Sequence, residues 1–243
     1  MVNQILPFKT IHVQPWICSI FDGSIDILKS EKEKFTLDKC SFVSLFNSPY
    51  QVKLSSKIHA IHIRFKPAGV YPLADLPLNK ILNRQVSLED LMAKDTSEIY
   101  NRMGELDNPK KQIALFEQWI LKTYQESNQH YRFNYGLHLI EEQKGKLSVK
   151  DLSLILNSNY KSLDRWFNKM LGMNPKEYLQ ISKFKSILDE IENQKNTSWM
   201  TLVADFDYHD QAHFSKSFKK YAGVSPNQYL TSLTESGVQF LQE

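Results

Sequence analysis

Gly172-Met-Asn-Pro-Lys-Glu-Tyr-Leu179 and Gly223-Val-Ser-Pro-Asn-Gln-Tyr-Leu230 carry Gly, Pro, Tyr and Leu at the same spacing. The offset that takes Gly172 onto Gly223 also takes Leu163 and Phe167 onto Phe214 and Phe218, and Arg165 and Lys169 onto Lys216 and Lys220. Further upstream, Leu152 and Leu156 fall on Leu202 and Phe206 once a single residue is inserted between the matched blocks. A connection tolerates such an insertion; a helix does not. Glycine ends helices because it enters the left-handed conformation without steric cost, and proline starts them because the first position needs no N–H partner. Each copy, from Leu147 to Leu179 and from Thr197 to Leu230, therefore reads as a first helix, a turn, a second helix, a glycine stop and a proline-started third helix.

The faces of these helices separate cleanly. Leu152, Ile155 and Leu156 give the first helix an inward side, and Asn157 stands where the chain must reverse. Asparagine is among the few non-glycine residues at ease at positive φ. The second helix buries Leu163, Trp166, Phe167 and Met170 and leaves Tyr160, Lys161, Asp164, Arg165, Asn168 and Lys169 outside. The later copy buries Phe214, Phe218 and Tyr221 and leaves Gln211, Ala212, His213, Ser215, Lys216, Lys219 and Lys220 outside. This is a helix-turn-helix pattern, whose second helix can enter a major groove roughly 12 Å wide. Between the copies, Lys176 to Ile191 reads as one long helix with Tyr178, Ile181, Phe184, Leu188 and Ile191 inward. A stiff connector fixes the two reading helices relative to each other.

Upstream the texture changes. Residues 1–92 read as a β-rich regulatory or dimerising lobe, 93–130 as a helical joint and 131–243 as the all-α double unit, an α+β chain overall. Gly23 to Lys29 and His59 to Lys66 alternate apolar and polar residues with the period of a half-buried strand. Ser87 can cap a helix opened by Glu89 and Asp90, and Asn108 followed by Pro109 starts another. Ile113, Phe116, Trp119, Ile120 and Tyr124 form a stripe on that last helix, either packing on a neighbouring element or lying in a homodimer seam. Arg64 near Trp16, Tyr50 and Tyr71 offers a site for a small acid or sugar effector, or simply the packing of a β-rich lobe.

Composition excludes several classes. With 243 residues, 42% hydrophobic and 23% charged, the chain is too polar for a membrane bundle and large enough for a substantial core. The net charge of +3 is shared almost evenly by the two halves, so nucleic-acid binding rests on where the cations stand. Two cysteines, Cys18 and Cys40, make no disulfide framework, and the first residues lack an export signal, so a cytoplasmic protein is expected. His209 and His213 imitate a zinc-protease pair, but Asp210 is placed to cap the reading helix and no third ligand is evident. Ser158 to Lys161 matches a serine-nucleophile spacing in a turn, not a cleft, and no phosphate-cradling glycine loop occurs. No catalytic residue, metal or cofactor is expected.

Residues from about 131 to 233 resemble the DNA-binding domain of AraC/XylS-type transcription regulators, with the hallmark end Phe214-Ser-Lys-Ser-Phe-Lys-Lys-Tyr-Ala-Gly-Val-Ser-Pro-Asn-Gln-Tyr229. The stretches Phe21 to Leu28, Ile63 to Gly69 and Ile113 to Ile120 are more loosely similar to one AraC subgroup. The resemblance implies two reading helices in consecutive major grooves of double-stranded DNA, and transcription activation through RNA polymerase. The chain departs from the family pattern at Asp207, where a glycine is usual, at Ala212, a weak reader, and at Asp164, whose charge repels phosphate unless it accepts from a cytosine amino group. A protein-interaction adaptor with degenerate DNA binding, or an enzyme lobe fused to a DNA-binding module, are the competing expectations.

Overall fold

The computed structural model describes residues 14–29, 33–74, 76–92, 95–124, 127–193 and 198–236. Residues 1–13, on which part of the export reading rests, lie outside the described residues. The fold is α+β. The lobe is built on β1 (Trp16–Asp22), which pairs antiparallel with β4 (Cys40–Val43) on one side and β6 (His59–Arg64) on the other. β7 (Gln85–Ser87) extends that sheet beyond β4. A smaller sheet places β2 (Ile25–Leu28) between β3 (Lys34–Thr36) and β5 (Gln51–Leu54).

Alternation along β1 feeds two cores. Trp16, Cys18 and Ile20 point toward the smaller sheet and pack with Ile27, Phe46 and Tyr50. Ile17 points the other way, into a cluster with Phe42, Leu88, Leu91, Met103 and Phe116. The helices of that cluster are α1 (Leu88–Met92), α2 (Ser97–Gly104) and α3 (Pro109–Thr123). Ser87 Oγ accepts from the Asp90 N–H at 3.0 Å, and the Asn108 side chain accepts from the Lys110 and Lys111 N–H groups, so both expected caps are present.

The apolar stripe of α3 is used within the lobe. Phe116 is buried, and Leu115, Trp119, Ile120 and Tyr124 pack on the same cluster. Gln112 is buried as well, its amide donating to the Met103 and Leu106 carbonyls at 2.9 Å each. What α3 leaves outside is Ile113, 50% exposed, and Leu121, 66% exposed. The stripe therefore packs largely within the lobe, with Phe116 buried and Trp119, Ile120 and Tyr124 half-buried.

The helical part begins with α4 (Asn128–Glu142), followed by α5 (Val149–Ile155), α6 (Tyr160–Leu171), α7 (Pro175–Asn193), α8 (Trp199–Asp205), α9 (Gln211–Ala222) and α10 (Pro226–Ser236). The offset that takes Phe167 onto Phe218 also takes Phe133 on α4 onto Phe184 on α7. Phe133 meets Phe167 edge-on at 4.8 Å, and Phe184 meets Phe218 edge-on at 5.3 Å. Each repeat is thus a three-helix unit, α4–α5–α6 and α7–α8–α9, longer than the copies starting at Leu147 and Thr197. The lobe docks on the helical part: Leu45 and Ala68 join its core, His130 Nε2 lies 2.9 Å from the Ala68 carbonyl oxygen, and the Asn47 amide donates to Glu177 of α7 at 2.7 Å.

Candidate nucleic-acid interface

The two turns that precede the reading helices are built alike. Asn157 and Asp207 both take the left-handed conformation, at φ +43° and +51°. The Ser158 N–H reaches back to the Ser153 carbonyl at 2.9 Å, and the Tyr208 N–H to the Val203 carbonyl at 2.9 Å. Aspartate at 207 takes the role expected of glycine, since Asp and Asn tolerate this region better than other residues with a Cβ. From 151 to 160 and from 201 to 210 the order of buried, half-buried and exposed positions is the same, residue by residue.

Each reading helix has a capped start and a glycine stop. The Asn159 side chain accepts from the Ser162 N–H at 2.8 Å, and Asp210 accepts from the His213 N–H at 2.7 Å. That backbone donor, then His209, holds the Asp210 carboxyl below the usual range. The resemblance to a zinc-protease pair dissolves here: Asp210 is the cap, and His209 stands before the helix. Among the described residues no group of three or more His, Cys, Asp or Glu is placed to hold a metal. Gly172 and Gly223 end the helices at φ +86° and +76°.

On α6, Tyr160, Lys161, Arg165 and Lys169 are exposed, whereas Asp164 and Asn168 are half-buried. Asn168 is tied to its own helix, its amide donating to the Asp164 carbonyl at 2.8 Å. On α9, Gln211, Ala212, His213, Lys216, Lys219 and Lys220 are exposed and Ser215 is half-buried. Among the described residues, Lys161, Arg165, Lys169, Lys216, Lys219 and Lys220 are in no ion pair with a carboxylate. Lys169 does lie over the Tyr71 ring of the lobe at 5.5 Å, and Lys220 over Tyr221 at 4.6 Å. Unpaired cations on a capped helix, with the positive end of its dipole at the N-terminus, suit a polyanion.

Sequence reasoning missed two residues behind the turns. On α4, the Arg132 guanidinium lies over the Trp166 ring at 5.6 Å and donates to the Leu156 carbonyl. The repeat offset takes Arg132 onto Lys183 of α7, whose ammonium lies over the Tyr208 ring at 4.8 Å. Burial pulls the Lys183 pKa down. The aromatic under the cation comes from the reading helix in one unit and from the turn in the other, so matching aromatic positions along the sequence finds no pair.

Of the residues considered for an effector, Trp16 meets Tyr50 and stands opposite Arg64 where β1 pairs with β6, while Tyr71 lies apart from them. Trp16 and Tyr50 are buried against each other in the lobe core, the indole N–H reaching the Tyr50 hydroxyl at 3.5 Å. Burial pushes the Tyr50 phenol up. Arg64 is exposed on β6, and Tyr71 is half-buried at the joint with α4 and α6. A cavity of about 560 Å³ lies elsewhere, between Lys66 and Pro67 of the lobe and the helices α4 and α7, lined by Lys144, Lys185, Glu141 and Glu190 among others.

A family model described as a helix-turn-helix domain matches residues 152–232. The chain is 26% identical over 155 residues to the uncharacterised HTH-type transcriptional regulator YisR of Bacillus subtilis, covering 60% of this chain and 53% of that one. It is 32% identical over 130 residues to the Msm operon regulatory protein of Streptococcus mutans, covering 52% and 46%. The chain thus spans about half the length of these curated relatives. Its fold is similar to the solved structure of ToxT from Vibrio cholerae, with a TM-score of 0.50 at 13% identity over 96% of this chain and 95% of that one. Residues 152–232, which hold both capped reading helices, are thus similar to a helix-turn-helix domain found in transcriptional regulators.

Proposed function

We propose that the chain is a sequence-specific DNA-binding transcription regulator that lays α6 and α9 in consecutive major grooves on one side of the duplex. The observation that supports this best is the repetition, within one chain, of the same capped helix carrying cations that meet no carboxylate among the described residues. Lys161, Arg165, Gln211, His213 and Lys216 are assigned to base edges or nearby phosphates, and Lys169, Lys219 and Lys220 to phosphates alone. Tyr160 and Ser215 flank the readers, and Ala212 offers only a methyl contact. Phosphate contacts supply most of the affinity, and a few side chains near the helix starts choose the sequence.

The β-rich lobe of residues 1–92, the joint of 93–130 and the DNA-binding part of 131–243 form a regulator that acts in the cytoplasm as an activator, through RNA polymerase. In this reading two copies assemble through the lobe, using the exposed Ile113 and Leu121 side of α3. A small effector occupies the cavity between lobe and connector, where a bound molecule would touch both. No catalytic step is assigned to the lobe. No helix among the described residues is long and apolar enough to cross a membrane. Selection of bound fragments from sheared genomic DNA, followed by gel shift at moderate salt, tests the reading. A recovered common sequence bound far more tightly than random duplex supports it; equal binding to all fragments overturns it.

A further inference from the structure

One side of α6 runs through the exposed Lys161 and Arg165 and the half-buried Asn168 and, one turn on, reaches the C-cap Gly172. Steps of three and four residues keep these positions on one face of a helix. At Gly172 that face is covered. A Cβ there would lie 2.8 Å from the Leu78 carbonyl oxygen and 3.4 Å from Asn79 Cα. The covering element is a single 3-10 turn of the lobe, Leu78–Lys80. Leu78 is buried, while Asn79 and Lys80 face solvent. Lys169 reaches the same edge, its ammonium over the Tyr71 ring. Lys80, like Lys169, is in no ion pair with a carboxylate among the described residues.

A helix whose N-terminal end lies in a major groove passes the sugar-phosphate rim as its other end leaves the groove. Groups near that exit meet backbone, not bases. We infer that the Leu78–Lys80 turn is part of the DNA interface: the Lys80 ammonium and the Asn79 amide bind phosphates flanking the groove read by α6. The lobe then grips the duplex directly, and the DNA-binding surface crosses from the helical part into the β-rich part. This inference rests on the proposed DNA-binding function and adds a contact to it. Charge complementarity and continuity with the α6 face both point to duplex backbone as the occupant.

The test uses the full chain and a random-sequence duplex of about four helical turns of roughly ten base pairs. Affinity is followed by fluorescence anisotropy between about 50 and 200 mM salt. Lys80→Ala is expected to weaken binding and to lower the slope of log affinity against log salt by about one unit. In a lysine-acetylation experiment read by mass spectrometry, duplex should protect Lys80 but not Lys57, whose side chain is 89% exposed between β5 and β6. A wild-type chain that binds while Lys80→Ala leaves slope and affinity unchanged, with Lys80 unprotected, overturns the contact. Tighter binding by Lys80→Ala also overturns it, because the turn would then be an obstruction. If the wild-type chain binds no duplex at low salt, the functional reading itself fails, an outcome distinct from either.

Discussion

The Phe133 ring stands edge-on to Phe167, with centroids 4.8 Å apart and planes at 81°. Phe184 and Phe218 repeat the arrangement, but Phe184 also meets Tyr221 at 5.4 Å. Removing a buried phenylalanine costs about 3–5 kcal/mol through lost burial and the cavity left behind. Phe133→Ala and Phe184→Ala should both fall in that range by urea unfolding, with Phe184→Ala the more costly because its ring holds two neighbours.

Arg165 carries a planar fork suited to guanine O6 and N7, and it is exposed in the middle of α6. Arg165→Ala should cost about 1–3 kcal/mol and relax base preference at one position. Lys169→Ala should weaken binding to every sequence alike and flatten the salt dependence by about one unit. Selection from a randomised duplex library distinguishes the two; a uniform loss for Arg165→Ala would remove it from base reading.

Arg132 touches no surface expected to meet DNA, yet it bridges the Leu156 carbonyl and the Trp166 ring. Its loss should let the turn and the reading helix shift against each other. Arg132→Ala is expected to lower specific affinity and blur base preference while retaining helical content by circular dichroism. Arg132→Lys keeps the cation over the ring but lacks the fork, so it should recover part of the preference. An Arg132→Ala chain with wild-type preference would show that the contact serves stability alone.

Assembly of two copies is testable at the side of α3 that remains open. Ile113→Asp and Leu121→Asp should convert a dimer to a monomer by light scattering at micromolar concentration, with the fold unchanged. Phe116→Asp is a different experiment, since a charge in that buried position should unfold the lobe. A wild-type chain that is monomeric both free and on DNA removes the dimer.

The two cysteines answer to burial. Desolvation first, then the neighbouring Cys40, pushes the Cys18 thiol up to about 12, and burial raises Cys40 as well. Thiolate is the reactive form, so below that range Cys18 stays protonated and slow to alkylate. Because Cys18 lies opposite Ser41 and Cys40 opposite Ser19, the two thiols project from opposite faces of the sheet. Mass spectrometry at pH 8 should find slow alkylation of both in the native chain, Cys18 slowest, rapid alkylation in urea, and no internal disulfide after mild oxidation.

The helical half was legible because its signals are local: Gly172 and Gly223, Pro175 and Pro226, and the cap residues each act within one turn. Even the positive φ at Asn157 follows from residue type. β1 escaped the pattern because Trp16, Ile17, Cys18, Ser19 and Ile20 are all buried, covered by a sheet on one side and helices on the other, which erases alternation. The stripe of α3 was seen, but the cluster it joins was not, since that cluster draws on Ile17 and Phe42, which lie far away in sequence. Arg132 and Lys183 were invisible for the same reason: each acts on an aromatic ring more than a helix away.

α7 packs on α4 and α6 of the first unit as well as on α9 of its own, and at 19 residues it measures about 28 Å from end to end. A rod packed on both units in this way sets the spacing of the two readers. The target site inherits that rigidity: moving its two halves apart by a single base pair turns one half about 35° around the duplex axis, at ten to ten and a half pairs per turn. A change of spacing should then be punished more severely than a change of base at either half, and the distance between the halves becomes as much a part of the recognised message as the letters themselves.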